Sequence, residues 1–353
     1  MSLTPQRNKS FLDILSNFLK VFEPYADSYY KKRKTTLNKY PRLIGRFYDD
    51  LQDISKGGKR LRGFLVYLGY LIGGGSDLKK ILPISLAVET IHTFLLIHDD
   101  VIDKSDMRHG KLAIHRRLEK LFGAHYGISQ AIIIGDIACF EAFALVNSSR
   151  FGERAKVECQ KKIYEVLLET AYGEALDIEY SYKEAKVADI MQVADLKTAR
   201  YSFVGPLSVG AILSKCSGKQ MKAISEFGLF VGIAFQLRDD YLGIFGDEKV
   251  LGKSILSDMR EGKNTLIIHK AKQLATPKDL VELNKIWGNP KSGSRELERI
   301  RDIVRKCGAL MWCEGENKGL IRAAKQEIGK LTRDRKLQQI LSQVADYVVS
   351  REK

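Results

Sequence analysis

Apolar residues in this chain recur at helical spacing. Ile84, Val88, Ile91 and Leu95 fall at intervals of 4, 3 and 4, which is one face of an α-helix, and similar spacing runs through residues 11–22, 131–146, 160–180 and 222–242. Strand-like alternation is scarce. Segments 84–103, 131–147 and 222–242 are apolar on more than one face, which places them among other helices and predicts an all-α fold, a large helical bundle. The seven prolines, at 5, 24, 41, 83, 206, 277 and 290, leave long stretches in which no backbone donor is lost. Gly73-Gly74-Gly75-Ser76 reads as a helix–helix turn, and neither a fixed-period repeat nor a linker-like segment is found. The expected organisation is a single domain over residues 1–353. Pro277, Pro290 and Ser292-Gly293-Ser294 interrupt the pattern within a C-terminal helical tail at about 275–353, after which the charged amphipathic pattern resumes.

Composition narrows the class. With 44% hydrophobic and 29% charged residues among 353, disorder, collagen and a disulfide scaffold are excluded. Five cysteines, at 139, 159, 216, 307 and 313, contain no Cys-x-x-Cys pair, which argues against a zinc site and for a reducing compartment. No apolar run approaches the length that crosses a bilayer and the start is amphipathic, so no transmembrane segment and a cytoplasmic location are expected. The net charge of +15 suits nucleic acid, an anionic membrane or a phosphorylated small molecule. Residues 1–62 hold 14 basic and 6 acidic residues, including the run Lys31-Lys32-Arg33-Lys34, so more than half of the excess lies in the first fifth of the chain.

Two acidic clusters choose among those partners. Glu89, His92, Leu96, Asp99 and Asp103 step by 3, 4, 3 and 4 along one helix face, with Asp100 beside Asp103. Crowded carboxylates repel and are costly to desolvate, so such a cluster lies at the surface or holds cations. A second apolar helix ends in the same way: Gln236, Asp239, Asp240 and Gly243 follow the run from Phe227 to Leu237. Two such helices are hard to explain as solvated surface. Hard oxygen ligands are what Mg²⁺ uses when it bridges a protein to phosphate oxygens. Short basic motifs accompany them: Gly57-Gly58-Lys59-Arg60-Leu61-Arg62, Arg108-His109-Gly110, Lys197-Thr198, Gly252-Lys253 and Glu261-Gly262-Lys263. These supply charge-assisted donors for a diphosphate.

The combination resembles the trans-isoprenyl diphosphate synthases, or polyprenyl synthetases. The first aspartate-rich motif is Asp99-Asp100-Val101-Ile102-Asp103 followed by Arg108-His109-Gly110. The second is Phe235-Gln236-Leu237-Arg238-Asp239-Asp240-Tyr241-Leu242-Gly243, with Asp258-Met259-Arg260-Glu261-Gly262-Lys263 downstream, and the motif-bearing core covers about 56–268. The resemblance implies an isoprenoid-synthase-type bundle around a central cavity, a homodimer, and three Mg²⁺ ions held around an allylic diphosphate. By the same resemblance Asp99, Asp103 and Asp239 are metal ligands and Asp100 and Asp240 support them. Arg108, Lys197, Lys253 and Lys263 hold the allylic diphosphate, and Lys59, Arg62 and His92 bind isopentenyl diphosphate. Thr198 and Gln236 lie near the reacting carbons, and Gly173-Glu174-Ala175-Leu176-Asp177 stands where the family has Gly-Gln-x-x-Asp.

Two positions depart from the pattern. His109 replaces a second arginine at the isopentenyl diphosphate site, and Gly243 replaces a third aspartate, as in archaeal-type members whose ligand sphere can be completed by water. The implied reaction condenses isopentenyl diphosphate with dimethylallyl, geranyl or farnesyl diphosphate after metal-assisted ionisation, without nucleic acid as a partner. Phe94 and Leu95, five and four positions before Asp99, lie where the family sets chain length. Leu95 is aliphatic and the first motif carries no insertion, which points to geranylgeranyl diphosphate ahead of farnesyl diphosphate. A noncatalytic regulatory subunit is the reading from another class, and the intact aspartate pairs count against it. Terpene cyclases need no second diphosphate pocket, so Lys59, Arg62 and His92 count against those.

Overall fold

Local capping chemistry sets where the helices begin. Ser10 opens the first by accepting from Asp13 N–H at 3.3 Å while the Asp13 carboxylate accepts from Ser10 N–H at 2.9 Å. Asp77 caps another through Lys80 N–H at 3.1 Å. The computed structural model describes residues 10–56, 58–183, 185–248 and 254–351. Among them the helices are α1 (Phe11–Thr36), α2 (Arg42–Ser55), α3 (Leu61–Ile72), α4 (Leu78–Ile102), α5 (Ile114–Phe122), α6 (Ala124–Asn147), α7 (Glu153–Ser181) and α8 (Val187–Val193). A π-helical segment, Ala194–Val204, leads into α9 (Gly205–Leu213) and α10 (Gly218–Phe245). Then follow α11 (Ser257–Glu261), α12 (Leu266–Leu274), α13 (Pro277–Ile286), α14 (Ser294–Lys306), α15 (Ala309–Leu331) and α16 (Arg335–Ser350). The strands are β1 (Met107–Arg108) and β2 (Lys111–Leu112), an antiparallel pair in which Met107 faces Leu112. The all-α expectation holds.

The chain divides into two compact units. One comprises the described part of Met1–Lys161 with Pro206–Gly218 and Thr332–Gln343. Its centre is α4, packed against α3 and α6, with α5 against α6. The α1 aromatics join this core: the Phe18 ring lies 5.6 Å from Phe64 and 5.1 Å from Phe22. Buried Glu141 of α6 ties down α1 and α2, accepting from Tyr48 Oη at 2.6 Å, from Arg33 Nε at 3.0 Å and from Tyr29 Oη. Gly69 of α3 lies against the backbone of Leu207, so close that a Cβ would collide with it.

The other unit comprises Lys162–Gly205, Lys219–Leu331 and the described part of Val344–Lys353. Ile244, Met259, Ile268, Leu283, Ile300 and Val304 are buried together in one cluster of α10–α14. Ala199, Ile233, Leu237 and Leu266 form a second. Pro277, expected to interrupt helical structure, instead starts α13 as its first residue, with Thr276 capping Asp279 N–H at 3.2 Å. The tail is regular helix.

The expectation that no segment could cross a bilayer needs a correction of detail. α4 and α6 are both long and apolar enough by length and composition alone. In α4, 67% of the apolar window is buried inside the protein, the behaviour of a core helix, whereas in α6 only 39% is buried.

Candidate active site

In the first unit the acidic motif closes α4. Asp99 and Asp100 occupy its last turn and Asp103 is its C-cap, donating its N–H to the Asp99 carbonyl at 2.8 Å. Arg108, on the β1–β2 hairpin, donates Nε to Asp100 Oδ1 at 2.9 Å and Nη2 to Asp99 Oδ2 at 3.3 Å. Asp100 is buried, and its Oδ2 has no hydrogen-bond partner among the described residues. Burial raises its carboxyl pKa, against the pull of Arg108, and Asp99 and Asp103 add to the rise.

A cationic pocket flanks this cluster on α4. Burial holds the His92 imidazole well below its usual pKa, and Arg62, Arg108, His109 and Arg60 push it further down. His92 is therefore neutral at pH 7, among groups that are charged. His109 sits at the hairpin turn with φ 51°, in the left-handed region, and burial followed by Arg108 lowers its pKa as well. Arg62 is in the first turn of α3, and Lys59 is half-buried in the segment joining α2 to α3. The neighbouring Arg60 has a structural role: it is buried, bonds Glu23 at 2.7 and 3.1 Å, and lies 5.5 Å over the Phe22 ring. Glu89, on the same α4 face, accepts from Gly63 N–H at 2.7 Å and so satisfies a donor in the first turn of α3. Phe94 and Leu95 are half-buried one turn and more below Asp99, and the Phe94 ring stands edge-on to His98 at 4.7 Å.

The second unit builds the other motif around the π-helical segment. Gly173 of α7 approaches the Lys197 backbone so closely that any side chain would strike it, and Gly232 of α10 likewise meets Ala199. Between these two supports Lys197 Nζ reaches Asp177 Oδ2 at 2.6 Å and Glu174 Oε2 at 2.9 Å. Thr198 Oγ1 donates to Gln236 Oε1 at 2.6 Å, and Gln236 Nε2 donates to Asp240 Oδ1 at 2.8 Å. Burial pushes the Asp240 carboxyl up to about 7; the Gln236 bond opposes this, and Asp258, Asp239 and Asp177 reinforce it. Lys263 lies 3.6 Å from Asp258 and 3.5 Å from Glu261. Lys253, expected at the diphosphate, lies outside the described residues, as does Gly57.

Sequence reasoning missed two features of this unit. Arg351, after the last helix, forms an ion pair with Asp239, donates to the Phe235 carbonyl at 3.1 Å and lies 3.5 Å over the Phe235 ring. No local motif marks it, because it follows Asp239 by 112 positions. Asp258 carries the second. A Cβ at Gly243 would run into its carboxylate, so an acidic group approaches the vacancy in the second motif from α11 rather than from α10.

Comparisons with known proteins agree with this chemistry. The family model described as polyprenyl synthetase matches residues 45–304. The chain is 31% identical over 306 residues to a geranylfarnesyl diphosphate synthase of Aeropyrum pernix, covering 85% of this chain and 92% of that protein. It is also 31% identical over 300 residues to a geranylgeranyl diphosphate synthase of Methanosarcina mazei, covering 85% and 87%. Its fold is similar to a geranylgeranyl pyrophosphate synthase from Corynebacterium glutamicum solved with isoprenyl diphosphate and magnesium, with TM-score 0.90, 27% identity, and coverage of 96% of this chain and 99% of that one.

Proposed function

The chain belongs to the polyprenyl synthetase family, and from that premise we propose that it condenses isopentenyl diphosphate with an allylic diphosphate to give geranylgeranyl diphosphate. It is a short-chain trans-prenyltransferase. The observation that carries the reading is the pairing of each aspartate motif with protein cations: Arg108 on Asp99 and Asp100, and Arg351 on Asp239. Carboxylates that already recruit positive charge fit metal ions, and the partnerless buried Oδ2 of Asp100 fits a hard-cation site as well. Asp99, Asp103 and Asp239 would hold Mg²⁺, three ions per site, with Asp100 and Asp240 behind them. When bound, the metal neutralises charge on the diphosphate leaving group.

The chain's own residues do the rest. Lys197, with Arg108, Lys263 and Lys253, grips the allylic diphosphate and stabilises negative charge as the carbon–oxygen bond breaks. Lys59, Arg62, His92 and His109 hold isopentenyl diphosphate with its double bond facing the allylic carbon. That double bond attacks, a new carbon–carbon bond forms, and the proton lost from the adduct passes to the released diphosphate. Thr198 and Gln236 present oxygen dipoles to the developing cation. The family match runs through both compact units, which supports treating residues 1–353 as one catalytic domain. We place the enzyme in the cytoplasm as a homodimer without a transmembrane segment; the exposed apolar face of α6 supports the dimer.

Relatives of equal identity carry different product names, so product length is the finer part of the proposal. Incubation of labelled isopentenyl diphosphate with dimethylallyl, geranyl and farnesyl diphosphate in turn, followed by chromatography of the dephosphorylated alcohols, tests it. A C20 alcohol from every accepted primer is expected. A dominant C15 or C25 product overturns the length, and no incorporation from any primer with Mg²⁺ overturns the site assignments.

A further inference from the structure

The basic run near the N-terminus takes no part in the chemistry above. From Ser28 to Tyr48 the chain carries seven cations, Lys31, Lys32, Arg33, Lys34, Lys39, Arg42 and Arg46, and no acidic residue. These 21 residues are the end of α1, the turn and the start of α2. Two of the cations are spoken for: Arg33 by Glu141 and Lys34 by Asp49. The other five are exposed, and none has a carboxylate within 4.0 Å among the described residues. The bonds of Tyr29, Tyr48 and Arg33 to buried Glu141 fix the hairpin to α6, so the charges project from a rigid support.

Two further observations say what meets this surface. Tyr40 stands at the turn with 50% of its surface exposed, and Lys39 Nζ lies 5.2 Å from its ring centre. An amphipathic aromatic flanked by flexible point charges suits the headgroup layer of a bilayer. Between α1 and α2 opens a cleft of ≈ 510 Å³ lined by Lys31, Lys34, Thr35, Asn38, Gln52, Lys56 and Asp27, the last paired to Lys56 at 3.2 Å and accepting from Gln52 Nε2 at 2.6 Å. Lys34 and Lys56 are paired to Asp49 and Asp27, which leaves the exposed Lys31 ammonium at this cleft to meet a phosphodiester headgroup.

We propose that the α1–α2 hairpin docks this enzyme on the surface of an anionic phospholipid bilayer, with Tyr40 at headgroup depth and the lysine cleft over lipid phosphate. The surface attraction falls off within a Debye length, so docking is reversible and salt-sensitive. Three of the five exposed cations are lysines, whose mobile point charges fit a fluid headgroup layer better than the base edges of a nucleic acid, which reward arginine's planar fork. The benefit of docking rests on the proposed C20 product, whose apolar tail is poorly soluble in water; the docking itself does not, and is measured without substrate.

The test is co-sedimentation of the full-length protein with vesicles of phosphatidylcholine alone and of phosphatidylcholine mixed with phosphatidylglycerol. Binding to the anionic vesicles only, lost at high salt, is expected. In the combined variant Lys32→Glu, Lys39→Glu, Arg42→Glu binding should vanish, since each cation near the surface contributes roughly fivefold in affinity. Turnover of soluble primers and the melting temperature should be unchanged, and the matching Lys32→Arg, Lys39→Arg pair should bind as the parent does. Equal binding to neutral vesicles, no binding to anionic ones, or full retention by the charge-reversed variant overturns the proposal. So does release from anionic vesicles by duplex DNA at matched ionic strength, which would assign the surface to nucleic acid.

Discussion

Arg351 holds the carboxylate assigned to a metal, and one group cannot serve both partners at full strength. Arg351→Ala should therefore lower the Mg²⁺ concentration needed for half-maximal activity by roughly tenfold, a charge-assisted hydrogen bond contributing on the order of 1.5 kcal/mol. An Mg²⁺ titration of initial rate checks this, and an unchanged midpoint would mean that Arg351 stays in place during turnover. His109 makes a different claim on charge. Because burial and Arg108 hold its pKa below the ordinary histidine value of about 6.5, it is neutral near pH 7 and gains its proton only as pH falls. His109→Arg supplies a permanent cation, so the Michaelis constant for isopentenyl diphosphate should fall and its rise with pH should flatten, as steady-state rates at acid and neutral pH would show. The aspartate pairs, Lys197 and Gln236 were legible in the sequence because each lies in a short run whose spacing is itself the signal. Arg351 was not, since its partner is brought to it by tertiary folding alone, and the structural role of Arg60 was hidden inside a motif whose other cations, Lys59 and Arg62, are the ones proposed to bind isopentenyl diphosphate.

At the scale of elements, α10 ends its apolar run in acid. Asp240 has a folded-state pKa raised to about 7, so between its ordinary value and that point the unfolded chain gives up a proton the native protein keeps. Metal-free stability should then fall as pH rises toward 7, at about 1.4 kcal/mol per unit for one such group, and level off above it. Asp240→Asn should remove that slope, measurable by urea unfolding with a chelator across the same range. On α4 the question is depth. At about 1.5 Å of rise per residue, Phe94 lies roughly 7–8 Å below Asp99, and its ring abuts His98, whose ring presses on Gly135 and whose Nε2 lies 3.1 Å from the Ile132 carbonyl of α6. Phe94→Ala should lengthen the products beyond C20; if the ring only packs, stability falls and product length does not change. The helices α4, α6 and α10 were legible from periodicity because they are apolar on several faces, although α6 is buried on only part of its surface. The π-helical segment was not: its close seating depends on glycines of two neighbouring helices, Gly173 and Gly232, a property no window of its own sequence contains. The tail was expected to be helical and is; Pro277 marks the break between two helices, with Thr276 capping the second where the chain before it turns.

For the whole molecule, the unequal burial of its two most apolar long helices is informative. α4 spends its hydrophobic surface inside the protein, whereas α6 leaves Ile128, Ile132, Ile133 and Phe140 exposed, Phe140 at 71%. Residues 128, 132 and 140 share a stripe at intervals that are multiples of four, so they form one face rather than scattered contacts. An apolar face broken only by Asp136, on a helix otherwise packed at its back, suits a subunit interface, and a second copy of the same helix would present the same face across a two-fold axis. A membrane would accept such a face too, but the polar and charged positions of α6, among them Asp136 and Glu141, punctuate the helix at depths where a bilayer offers no partner. Phe140→Glu replaces the most exposed apolar side chain of this face with a charge, so it should convert the protein to a monomer at micromolar concentration while leaving its helical content intact. Sedimentation velocity of parent and variant distinguishes the outcomes: a parent that sediments as a monomer, or a variant that still dimerises, removes α6 from the interface.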